Sequence, residues 1–80
     1  MKVKLVAYGI AREILDAREM SWPISDGYTI AQLKLNLIEK YPTFGKLSKL
    51  SFAVDEEYRE DSFLLNDNVE VVIIPPVSGG

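Results

Sequence analysis

The sequence contains no cysteine and no histidine. Without cysteine there is no disulfide, no thiolate nucleophile and no sulfur ligand for a metal; without histidine the usual neutral-pH base and the commonest metal ligand are missing as well. Most catalytic designs are closed to this chain, and neither a glycine-rich phosphate cradle nor a nucleophile elbow takes their place. Positive charge is scarce too. Nine Lys and Arg against twelve Asp and Glu leave a net charge of −3, so the broad basic field that attracts nucleic acid is lacking. No apolar run approaches the ~20 residues that span a bilayer, and no basic, apolar and small-residue leader opens the chain. The expectation is a cytoplasmic protein that binds neither nucleic acid nor membrane, holds no metal and is not itself an enzyme.

What is present belongs to a small globular domain. Apolar residues make up 48% of the chain and charged residues 26%, a balance that supports a packed core. A chain of 80 residues has room for one domain, residues 1–80, that buries roughly 60 to 65% of its unfolded surface.

Periodicity assigns the elements. Residues 2–8, KVKLVAY, set Val3, Leu5 and Ala7 against Lys2, Lys4, Val6 and Tyr8, the period of two that marks a half-buried strand. Gly9 interrupts it. AREIL, residues 11–15, is read as a short turn of helix, and REMSWPI, residues 18–24, as a second extended stretch with Pro23 at its end or edge. Residues 30–41 give the main helix: Ile30, Leu33, Leu37, Ile38 and Tyr41 build one apolar stripe. Thr29 and Gln32 form a capping box, Tyr28 and Leu33 a hydrophobic staple, and Pro42 stops the helix. After a loop around Gly45 come short strands at 50–54 and 56–60, a turn near LLNDN and a final strand with VVII at 71–74. That final run is apolar on both faces, as suits a strand buried on both sides or one whose outer face meets a partner. The fold class is α+β, a mixed sheet with one main helix packed on one face. Phe44, Phe52 and Phe63 join Leu33 and Leu37 as core candidates, while Trp22 is read as core or rim.

The order strand, strand, helix, short strands and an extended Gly79-Gly80 end resembles the ubiquitin-like β-grasp fold. Within that group the chain most resembles the small subunit of molybdopterin synthase, the MoaD-like sulfur carriers. The residues that carry the likeness are Ile73-Ile74-Pro75-Pro76-Val77-Ser78-Gly79-Gly80, together with VKLVAYGIAREIL and FAVDEEYRED…LNDNVEVVIIPP. The resemblance implies parallel first and last strands at the sheet centre and a sulfur carrier for molybdenum or tungsten cofactor synthesis. It implies that an ATP-dependent, E1-like adenylating enzyme activates the Gly80 carboxylate, which becomes a thiocarboxylate. The sulfur then passes to a cyclic pyranopterin precursor bound by the large subunit. ATP belongs to the activating partner, and no cofactor stays with this chain. A thiamine-thiazole sulfur carrier, a ubiquitin-like protein modifier and a plain interaction domain are the alternatives.

The tail suits that chemistry. Gly79 and Gly80 lack Cβ atoms and pass through a channel where a side chain would collide. Pro75 and Pro76 favour an extended exit, and the six residues from Pro75 through Val77 and Ser78 to Gly80 reach up to ~20 Å from the body. Strand parity places Val6 and Tyr8 on the outer side of the first strand and Val72 and Ile74 on that of the last. These residues, with Tyr58 as a further aromatic, form the expected docking patch, and Arg12, in the family's Arg-Glu turn, is a candidate for pairing with an acidic group of the partner. Asp55, Glu56, Glu57, Glu60 and Asp61 lack calcium-loop spacing and read as a solvated hairpin.

Overall fold

The computed structural model describes residues 1–47 and 49–76. The threading and sulfur-bearing positions Val77, Ser78, Gly79 and Gly80 lie outside the described residues.

The alternation at the start of the chain forms strand β1, Lys2–Ala7, with Val3, Leu5 and Ala7 buried in the core. Gly9 then turns the chain at φ 54, a left-handed conformation that glycine adopts without steric cost. From it starts α1, Gly9–Leu15, a longer helix than the single turn expected; it buries Ala11 and Leu15 and ends on Asp16, also left-handed. Strand β2, Glu19–Pro23, returns antiparallel to β1 with Pro23 as its last residue.

Helix α2, Ile30–Lys40, buries Ile30, Leu33 and Leu37, while Ile38 and Tyr41 are partly buried against the same core. Burial of each large side chain contributes about 1.5 to 3 kcal/mol. The capping box is present: the Gln32 N–H donates to Thr29 Oγ1 at 3.3 Å and the Thr29 N–H to Gln32 Oε1 at 2.9 Å. Two more first-turn donors, the N–H groups of Ile30 and Ala31, reach the carbonyls of Phe63 and Asp61, both at 3.0 Å. Donors that a helix start would leave without partners are thus satisfied by the segment that crosses it. Tyr28, expected as a staple on Leu33, is buried in the same core cluster as Leu33, and its hydroxyl accepts from Trp22 Nε1 at 3.3 Å and donates to Asn36 Oδ1. Trp22 belongs to the core.

Pro42 ends α2 and begins a 3₁₀ turn, Pro42–Lys46, where the sequence suggested a loop. Proline's fixed φ suits a first helical position, and the turn drives Phe44 into the core. Strands β3, Ser51–Val54, and β4, Glu57–Arg59, follow as a hairpin, and β5, Glu70–Ile74, closes the sheet. Phe52 is buried, whereas Phe63 is only half-buried, with the Arg59 guanidinium 4.6 Å from its ring centre. Its expected place in the full core is corrected to the rim.

The five-stranded sheet runs β2-β1-β5-β3-β4, with β1 and β5 parallel near its centre. The main helix covers one face, α1 adds a second and shorter cover, and among the described residues no helix lies on the other face.

Candidate functional site

The uncovered face is read directly from the register. Val6 of β1 pairs with Val72 of β5, Val72 with Ala53 of β3, and Ala53 with Tyr58 of β4. At ~4.8 Å between strands this apolar row spans roughly 14 Å. Tyr58, placed on the patch by the sequence, is 70% exposed; Tyr8, at the end of β1, is 58% exposed. Val72 and Ile74 are half-buried. Val6 departs from the simple picture: it points to the open face yet is only 5% exposed, because its neighbours on both sides, Glu19 and Val72, close over a residue in the sheet interior.

Ala53 belongs to the row and was not singled out from the sequence. The signal was available, since burial of Phe52 and Val54 toward the core sends Ala53 to the opposite face. Ile10, 41% exposed on α1, is a second exposed apolar residue close in sequence to Tyr8.

Polarity changes along the strands. At the start of β1 and β5 the face is charged: Lys4 lies 3.4 Å from Glu19 and 3.9 Å from Glu70. All three side chains are about half exposed, so these pairs shape the surface potential more than the stability. At the far end stand Tyr8 and Ile74. Because β1 and β5 are parallel, both strands finish at this apolar end, and the chain leaves it through Pro75 and Pro76.

Arg12 is exposed on α1 and makes no salt bridge among the described residues; its carbonyl accepts the N–H groups of Asp16 and Ala17 at the helix end. It stands off the apolar row, on the helix that follows Tyr8. The acidic hairpin has internal partners: Arg59 binds Glu57 at 3.1 Å and Lys34 binds Asp61 at 3.1 Å. Among the described residues no cluster of carboxylates is arranged to hold a metal ion, and no helix is long and apolar enough to cross a membrane.

Residues 6–80 match the ThiS family. The chain belongs to that family. Its full length aligns with the molybdopterin synthase sulfur carrier subunit of Caenorhabditis briggsae at 35% identity, covering 99% of that protein, and with the one of Chlamydomonas reinhardtii at 32%, covering all of it. Solved structures agree on the fold. SAMP1 from Haloferax volcanii superposes with a TM-score of 0.82 at 15% identity over the whole of both chains, and ubiquitin from Caldiarchaeum subterraneum with 0.67 at 16%, over all of this ThiS-family chain and 98% of that one. The architecture is the ubiquitin-like β-grasp.

Proposed function

We propose that this protein is the sulfur carrier subunit of a molybdopterin synthase, with Gly80 as the residue that bears the sulfur. The full-length similarity to sulfur carrier subunits supports the role. The observation that carries the mechanism is the parallel pairing of β1 and β5, which sends the chain out at Pro75 beside the apolar end of the uncovered face. A partner docked on Tyr8, Val72, Ile74 and Tyr58 then has the tail within reach of its own active site.

Beyond its own terminal carboxylate, the chain brings no cysteine or histidine side chain to this chemistry. A carboxylate is a poor electrophile, so an E1-like partner transfers AMP from ATP to the Gly80 carboxylate and releases pyrophosphate. The outer sulfur of a donor's persulfide attacks the acyl-adenylate, the C–O bond to AMP breaks and AMP leaves; a second thiol then cleaves the S–S bond of the acyl disulfide, leaving a thiocarboxylate on Gly80 and a disulfide between the two thiols. On the large subunit that sulfur passes to the pterin precursor. The protein's part is to dock, thread and present the terminus, which fits a carrier with neither Cys nor His.

Adding one alanine after Gly80 tests this reading. Reacting atoms must lie within about 3 to 3.5 Å, and an extra residue moves the carboxyl by up to ~3.5 Å while the docked body stays in place. In a reaction reconstituted from activating enzyme, ATP, sulfur donor, large subunit and precursor, the extended variant should bind normally and yield no product. Product at the wild-type rate would remove Gly80 from the chemistry.

A further inference from the structure

A sheet of this order has two edges, β2 and β4. The β4 edge is three residues long and carries Glu57 and Arg59, the short charged edge that resists pairing. The β2 edge is different. The N–H of Ala7 donates to Arg18 at 2.8 Å and that of Ile24 to Met1 at 2.9 Å, which fixes the phase of the β1–β2 ladder. Met20 and Trp22 therefore bond inward to β1, while the N–H and C=O groups of Glu19 and Ser21 and the carbonyl of Pro23 point away from the sheet. Pro23, with no N–H, limits the edge at one end.

Two hollows flank this edge, one on each face of the sheet, and both have Met20 and Ser21 in their walls. The helix-side hollow is aromatic, with Trp22, Tyr28 and Tyr41 beneath Lys40, whose ammonium lies 5.5 Å from the Trp22 ring centre. The bond from Trp22 Nε1 to the Tyr28 hydroxyl, and onward to Asn36, holds this floor in one arrangement. The open-side hollow has Lys2, Lys4, Glu19 and Asn68 in its walls. Lys4 is shared by two carboxylates, but Lys2 makes no ion pair among the described residues.

We propose that the free edge of β2 receives an extended segment of a partner protein as an added strand, with a bulky apolar side chain on the helix side and an acidic one on the open side. An added strand bonds through its backbone and sends successive side chains to opposite faces, which is where the two hollows lie. The aromatic hollow takes the apolar residue; on the open side the Asp67 carboxylate accepts from the Lys2 backbone N–H at 2.9 Å, but the Lys2 ammonium is in no ion pair among the described residues and, beside Lys4, favours a carboxylate over an ammonium. This site is separate from the apolar row and from the tail, and it does not depend on the sulfur-carrier reading.

Amide NMR of the full chain, titrated with a short capped peptide of alternating valine and aspartate, tests the proposal. The Glu19 and Ser21 amides and the Trp22 indole N–H should shift, with slowed exchange at Glu19 and Ser21, while Tyr58 and Val72 stay in place. Ser21→Pro, which deletes an outward donor, should weaken the peptide roughly tenfold. Lys2→Glu at an exposed position keeps the fold intact and should reverse the preference toward an alternating valine–lysine peptide. Shifts centred on Tyr58 and Val72, equal affinity for the two peptides, no response at millimolar peptide, or the same shifts from raising protein concentration alone would each overturn it; the last would make the occupant a second copy of this chain.

Discussion

Asp55 and Glu56 hold left-handed conformations, φ 55 and 65, at the tip of the β3–β4 hairpin. The register, with Val54 opposite Glu57, leaves these two residues as the whole loop, and such loops need positive φ at both positions. Asp tolerates this; Glu at the second position does so at a cost of about 1 kcal/mol. Glu56→Gly should therefore raise the unfolding free energy by about 0.5 to 1 kcal/mol, and an unchanged or lower urea midpoint would contradict this assignment. Gly9 is the opposite case. Nothing lies within 4 Å of an added Cβ there, so Gly9→Ala should lose about 1 kcal/mol through backbone conformation alone, which a urea titration reads. Parity made Tyr8, Val72 and Ile74 legible at this scale, since each side chain's face follows from its strand position. It could not foresee that Val6 would be nearly covered, because that depends on which strands lie on either side, nor that Phe63 would stop at the rim beneath Arg59.

Among the elements, α2 was the most legible, because its stripe, capping box and terminating proline all point to the same boundaries. Thr29→Ala removes the acceptor for the Gln32 N–H and should lower stability by about 1 kcal/mol, seen as a lower urea midpoint with an unchanged slope. A change in large-subunit affinity would mean that the helix start belongs to the docking surface. The 3₁₀ turn at Pro42–Lys46 was not legible: five residues carry no apolar period, and what orders them is tertiary, the burial of Phe44. The short helix α1 was seen only in part, since it begins at the glycine that sequence reading treats as a break. The free edge of β2 was also hidden, because which strand ends a sheet is decided by pairing across the whole chain.

For the whole molecule, the decisive arrangement is a two-sided sheet with the described helices on one face, an apolar row on the other and the chain's exit at the apolar end of that second face. Sequence supplied the alternatives for VVII, buried on both sides or covered by a partner. Val72 and Ile74 are half-buried, so the strand is not sealed on both sides, and the proposed docking is what would cover its outer face. Ile74→Asp should thus leave folding intact, as the side chain points away from the core, and weaken large-subunit binding measurably, because an unpaired carboxylate costs several kcal/mol to bury. Unchanged affinity in calorimetry would move the docking surface elsewhere.

Sulfur at Gly80 is read by mass spectrometry of the protein isolated from its own cells. The C-terminal peptide should show one oxygen replaced by sulfur at Gly80, lost on incubation with large subunit and pterin precursor. A C-terminus that stays an ordinary carboxylate in every growth condition, or is found only in isopeptide linkage to lysine, would mean that Gly80 does not carry sulfur.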